Sequence, residues 1–261
     1  MGFGLEDLGD DLITELVASC QQREPSVVAV LVHGSYATGT AHPESDIDLN
    51  LVVSDPSIHY RTWFIDRSDG GPLHVSARCD LTMDAWEAEA ETPEDWSLGL
   101  PVRLVYRWLW SNDDGVVASI GEQPEVLKPG GPPEIEDMVD AVIKMRRHCR
   151  NKDEVGVRLE AQAAARYAAP TVAGLNTPPA VGDPRSAIDG VISLPVAPPG
   201  WSTDFIVAAG LARASTEEVL EATVRLALGT LRLVREVDPA VDDQPEIEKY
   251  LRDGTLERLL R

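Results

Sequence analysis

The stretch Lys128-Pro129-Gly130-Gly131-Pro132-Pro133 can continue neither a helix nor a strand, because three of its six residues are proline and two are glycine. Apolar residues are patterned differently on its two sides. Before it they alternate or form continuous β-branched runs, as in strands; after it they recur at helical spacing. A chain of 261 residues also has the length for two domains of ordinary size. The sequence therefore predicts an α/β half over 1–127, a linker over 128–134 and a helical half over 135–261.

Within the first half, Leu5, Leu8, Leu12, Ile13, Leu16 and Val17 mark one buried stripe of a helix over 5–22. Val27-Val28-Ala29-Val30-Leu31-Val32 reads as a buried strand, because its β-branched side chains leave no polar face. That strand stops at Gly34-Ser35, and His42-Pro43-Glu44-Ser45 has turn chemistry. Asp46-Ile47-Asp48-Leu49-Asn50-Leu51-Val52-Val53 then alternates, a second strand with both carboxylates on one face. Further strands are expected over 73–83 and 102–110, with a helix over 83–90 between them. Beyond the linker, helices are expected over 135–150, 153–174, 202–213, 215–236 and 245–260. A Pro/Gly-rich loop over 175–200 interrupts them.

Charge narrows the range of partners. Asp and Glu number 44 against 23 Lys and Arg, a formal charge of -21. Such a surface repels phosphate backbones and anionic leaflets, which disfavours nucleic acid and membrane as partners. It attracts a small polycation and also serves solubility. Cys20, Cys79 and Cys149 are odd in number and lack paired metal-ligand spacing, so a reducing cytoplasm is the expected compartment. The opening MGFGLEDLGDDLITELV lacks the basic flank and apolar run of a signal peptide, and no apolar stretch has the length to span a bilayer.

Chemistry concentrates at His33-Gly34-Ser35 and, ten residues on, Asp46-Ile47-Asp48. A Gly-Ser pair that ends a strand and opens a helix offers free backbone N–H groups to a phosphate, and Gly34 lets the backbone approach the ligand. Asp46 and Asp48, two residues apart on a strand, project side by side. Hard carboxylate oxygens in that arrangement suit Mg²⁺ shared with substrate phosphates. Together these parts describe a site for a Mg-nucleotide.

The segment HGSYATGTAHPESDIDLNLVV resembles the signature of the DNA polymerase β-like nucleotidyltransferase superfamily, and the chain looks most like its aminoglycoside and lincosamide branch, the antibiotic-modifying enzymes. The resemblance implies a nucleotidyltransferase domain with a mixed, antiparallel-rich sheet followed by an all-α bundle on the substrate side. It implies Mg-dependent transfer of AMP from ATP to a hydroxyl of a small, polycationic acceptor such as an aminoglycoside, with release of pyrophosphate. Gly34 and Ser35 would bind the triphosphate, and Asp46 and Asp48 would hold two metal ions; Ser45, just before Asp46, either contacts the triphosphate or caps the turn. A third acidic residue on a neighbouring strand is expected as ligand or base. Asp80, between apolar residues in Arg78-Cys79-Asp80-Leu81, is the candidate, with His74 and Asp84 as alternatives.

Other residues carry a functional and a structural reading side by side. His33 either touches a phosphate or ends a strand. Arg146, Arg147, His148 and Arg150 either reach phosphates or offset nearby carboxylates. The acidic runs Glu87, Glu89, Glu91, Glu94, Asp95 and Glu134, Glu136, Asp137, Asp140 either face a cationic acceptor or are solvated helix faces. Six tryptophans stand beside only three phenylalanines, with core packing as the default for each. Two alternative functions share the motif: a nucleotidyltransferase acting on a protein or tRNA, and a non-catalytic nucleotide-binding regulator.

Overall fold

In the computed structural model the chain forms two compact units, Met1–Thr92 with Arg103–Lys128, and Pro93–Val102 with Pro129–Arg261. The structure describes residues 3–55, 60–67, 71–82, 91–112 and 125–237, without the side chains of Asp80 and Leu81. The expected helices over 83–90 and 245–260 lie outside the described residues.

The first unit is a mixed sheet under one long helix. Helix α1 (Asp10–Arg23) leads into β1 (Val27–His33), the five-residue α2 (Gly34–Thr38) and β2 (Ile47–Val53). Then come β3 (Tyr60–Arg67), β4 (Gly71–Leu81), β5 (Val102–Val105), β6 (Arg107–Ser111) and β7 (Glu125–Lys128). Five strands form one sheet in the order β3-β4-β2-β1-β6, and β5 pairs with β7 separately. Within the five-stranded sheet β2 and β4 run parallel and the other three pairings are antiparallel.

Alternation in β2 sorts its side chains between two faces. Ile47, Leu49, Leu51 and Val53 join Leu16 and Cys20 of α1, Val30 and Val32 of β1, and Val75, Ala77 and Cys79 of β4 in the main core. On the other face Ala29, Leu31 and Val52 pack against Tyr106. Burial on both faces is why β1 reads as an unbroken apolar run. Asp46 and Asp48 stand at the start of β2, on the second face. The two buried thiols belong to the main core, and burial pushes Cys20 up to about 12.

Five expectations change. The helix expected over 5–22 begins at Asp10, after a single 3-10 turn at Leu5–Asp7, and the one expected over 202–213 ends at Ala208. The segment expected as one strand over 102–110 breaks at Tyr106, whose buried ring separates β5 and β6 into different sheets. Strand β3 lacks an alternating signature in the sequence, because its exposed face mixes Tyr60 and Phe64 with Thr62 and Asp66, while Arg61 and Arg67 flank Trp63 and Ile65 on the other. The loop over 175–200 contains a helix, α5 (Pro184–Ile192), once α3 (Ile135–Arg150) and α4 (Glu154–Ala173) have been passed. Asp183 starts α5, its carboxylate accepting from the N–H groups of Arg185 and Ser186 at 2.9 and 3.0 Å.

The second unit is helical, completed by α6 (Trp201–Ala208) and α7 (Thr216–Val237). Helix α4 buries Ala161, Ala164, Ala165, Ala168 and Ala169, small side chains that let α3 and α7 approach it closely. Asp204 on α6 accepts a forked pair from Arg225 on α7 at 2.8 and 3.1 Å. Among the described residues no helix is long and apolar enough to cross a membrane.

Leu49 is 1% exposed at the centre of β2, whereas Leu159 is 61% exposed on α4. Leu49→Ala should lower unfolding free energy by about 2–5 kcal/mol in urea titrations, and Leu159→Ala by less than about 0.5 kcal/mol. Equal losses would contradict the placement of the core.

Candidate active site

The antiparallel register of β1 with β2 pairs Val32 with Leu49 and His33 with Asp48. The chain must leave β1 at that point, and it does so at Gly34 with φ +68°. A Cβ on Gly34 would lie 2.6 Å from Asp48 Oδ2. The left-handed backbone conformation therefore favours glycine, and a Cβ there would push the Asp48 carboxylate out of its position. Ser35 follows in the first turn of α2, and the Thr38 hydroxyl donates to the Gly34 carbonyl at 3.1 Å.

Before β2, the Ser45 hydroxyl accepts from the His42 N–H at 2.9 Å, closing the turn that delivers Asp46. On the other side, the parallel register pairs Ile47 with Val75 and Asp48 with Ser76, which sets His74 beside Asp46. His74 Nδ1 stands 3.8 Å from Asp46 Oδ2. Burial pushes the Asp48 carboxyl up to about 6; the Asp46 charge adds to this and His74 opposes it.

His33 points to the same face, its ring 5.7 Å from that of Tyr106. Burial, with Lys128 and Arg78 nearby, pushes its imidazole down to about 4 against the pull of Asp46, so it is neutral at physiological pH. Lys128 is itself 2% exposed.

The candidates for a third ligand or base separate. His74 is at the carboxylate pair. The register pairs Leu81 with Val52, so the Asp80 backbone stands four residues beyond Ser76 along β4, about 13 Å at the usual rise. The pairing does not bring Asp80 beside Asp46 and Asp48, and its side chain lies outside the description. Asp84 also lies outside the described residues. Among the described residues no three His, Cys, Asp or Glu side chains converge on one ion position. Two hard carboxylates, one half-desolvated and raised by its neighbour, together with a backbone cradle that a Cβ would fill, fit a hydrated Mg²⁺ shared with phosphate oxygens.

The second unit has a cavity of about 390 Å³ whose lining includes Glu94, Asp95, Ser97, Glu134, Asp137 and Tyr167. Arg166 also lines it, 3.8 Å from Asp95. Burial raises the Glu134 carboxyl, with Asp137 and Asp95 adding to the effect and Arg166 opposing it. The Ser97 hydroxyl is buried and has no hydrogen-bond partner among the described residues. Four of these acids belong to the runs noted in the sequence; Ser97 gave no signal there.

Elsewhere the structural reading prevails. His148 bonds Asp153 at 2.8 Å, and Asp153 caps α4. Trp63 donates to the Ser19 hydroxyl at 3.1 Å, and Trp201 to the Val191 carbonyl at 2.7 Å.

Comparison with known proteins places both units. Residues 13–104 match the nucleotidyltransferase domain, and residues 134–236 match the nucleotidyltransferase substrate-binding domain. No curated protein matches the chain. A nucleotidyltransferase-like protein from Exiguobacterium sibiricum 255-15, known from a crystal structure, is 10% identical. The alignment covers 95% of this chain and 89% of that one at a TM-score of 0.40, a likeness too distant to carry an argument. The chain is a nucleotidyltransferase enzyme. It belongs to the DNA polymerase β-like type and resembles the aminoglycoside nucleotidyltransferases.

The raised carboxyl of Asp48 has a consequence for stability. Its folded pKa of about 6 exceeds the ordinary 3.8, so the folded state binds the extra proton between those values. The cost of ionising it is absent below pH 3.8, grows across that window and is complete above pH 6. In metal-free protein the melting temperature of Asp48→Asn should therefore rise relative to wild type as pH increases from about 4 to about 6, then hold a constant lead. A difference independent of pH would contradict the burial of Asp48.

Proposed function

We propose that this enzyme transfers the AMP group of ATP to a hydroxyl of a small cationic acceptor of the aminoglycoside kind. The observation that carries the reading is the approach of Gly34 to Asp48, which leaves room only for a backbone cradle beside a carboxylate pair. The N–H groups at Gly34 and Ser35 would hold the triphosphate, with Ser45 shaping the turn beside them. Asp46 and Asp48 would hold Mg²⁺, which when bound neutralises phosphate charge and orients the reacting oxygens.

Transfer is an in-line exchange. A bond forms from the acceptor oxygen to the α-phosphorus as the bond from that phosphorus to the bridging oxygen breaks, and pyrophosphate leaves. His74, the residue that faces Asp46, is assigned the proton of the acceptor hydroxyl. Neutral His33 adds no charge to the face on which this happens. The acidic cavity of the second unit supports a cationic acceptor, since crowded carboxylates such as Glu134 and Asp137 are relieved by ammonium groups. The overall charge of -21 acts in the same direction. A reducing cytoplasm suits the free thiols.

The test is mass spectrometry of mixtures of protein, ATP, Mg²⁺ and a panel of aminoglycosides. One compound should gain the mass of AMP, the gain should vanish with EDTA, and Asp46→Asn should reduce it by on the order of 100-fold or more. No adduct on any compound while ATP still binds would favour a protein target or a regulator without turnover. Raising salt from about 50 to 300 mM should raise the KM for the cationic acceptor. A flat response would leave the charge as a solubility trait.

A further inference from the structure

Two rows of side chains run outward from the carboxylate pair. Parallel pairing of β2 with β4, then antiparallel pairing of β4 with β3, aligns Asp48, Ser76 and Thr62 in one row. Asp46, His74 and Phe64 form the next. Partners in register share a face, so all six stand on the side of the sheet that carries the carboxylates. Phe64 is 64% exposed, a large apolar ring left in water, and its ring centroid lies 5.1 Å from that of His74. Thr62 is exposed beside it. Core packing does not account for these positions, since Trp63 and Ile65 fill the opposite face of the same strand.

We infer that this two-row surface receives the ring of the acceptor that carries the reacting hydroxyl, with Phe64 as its stacking platform. The inference rests on the nucleotidyl-transfer reading and follows from the direction of displacement. Gly34 and Ser35 lie on the β1 side of Asp48, so the triphosphate and its departing pyrophosphate lie there. In-line attack requires the acceptor oxygen to enter from the opposite side, which is β4. Phe64 is two strands from Asp46, about 10 Å, the span of a substituted ring whose hydroxyl is at the α-phosphorus. The platform suits a saturated polyol. Its C–H face packs on an aromatic ring, ammonium groups favour the ring face, and Ser76 and Thr62 offer hydroxyls to its edge. Arg78 and Tyr60 occupy the next row, so the surface turns cationic on that side. Asp66, exposed on the same face of β3 beyond Phe64, makes the other end anionic. An ammonium-bearing ring is thereby oriented toward Asp66.

The test is calorimetric binding of kanamycin, neomycin and streptomycin to the full chain, with Mg²⁺ and a non-hydrolysable ATP analogue present. Phe64→Ala should weaken binding of whichever compound the wild type takes by about three- to tenfold. Phe64→Trp should restore it, and Val155→Ala, at an exposed apolar position of α4, should leave it unchanged. Nucleotide-analogue affinity should be the same in all four proteins. Equal affinity in Phe64→Ala and wild type would overturn the platform while leaving nucleotidyl transfer intact. Analogue binding with none of the three compounds bound would overturn the cationic-polyol platform alone. Loss of analogue binding in the wild type would overturn the underlying reading as well.

Discussion

The antiparallel pairing of β1 with β2 is the constraint on which the site depends. Because His33 is opposite Asp48, the chain must turn out of the sheet beside a carboxylate, and a glycine takes that turn without a Cβ to displace the carboxylate. One register therefore sets three things together: the direction of α2, the closeness of the backbone to Asp48, and the face on which Asp46 appears. A slip of one residue would send both carboxylates into the core occupied by Ile47 and Leu49. The apolar alternation of β2 thus protects the chemistry as well as the fold.

That arrangement is held against an electrostatic cost. Asp48 is partly desolvated and faces a second carboxylate, which raises its pKa and makes the ionised apo site uncomfortable. Pairing of β2 with β1 and β4 fixes the backbone positions from which both carboxylates project. A cation with phosphate oxygens would resolve the conflict, which supports the proposed Mg-nucleotide over a reading of the aspartates as surface charge. The cavity beside Glu134 repeats the logic in the second unit, with crowded carboxylates and an unsatisfied Ser97 hydroxyl.

Legibility in the sequence followed from how much each feature depends on local chemistry. Gly34, Ser35, Asp46 and Asp48 were readable because strand, turn and strand follow one another within a short segment. Which residue of β4 falls opposite Asp46 was not, since register across a parallel pairing leaves no local trace. Alternation marked Asp80 as well as His74; only the pairing separates them. Strand β3 was hidden because its exposed face mixes Tyr60 and Phe64 with Thr62 and Asp66, and those same residues now mark a surface with a use. The break at Tyr106 was hidden because the residues on both sides favour strands equally. Helical periods over 135–150, 153–174 and 215–236 are long and strong enough to be read directly, whereas the helix over 202–213 stops short at Ala208 and the nine-residue α5 is masked by its proline-rich flanks.

The proposed site requires that Asp46 and Asp48 bind nucleotide through a divalent ion. Titration of a non-hydrolysable ATP analogue into the wild type with Mn²⁺, followed by the electron paramagnetic resonance of the metal, tests it without reference to any acceptor. The account predicts that protein-bound Mn²⁺ appears only when the analogue is present, and that Asp46→Asn loses it. Analogue binding that persists in EDTA with the same affinity, or bound Mn²⁺ unaffected by Asp46→Asn, would contradict it.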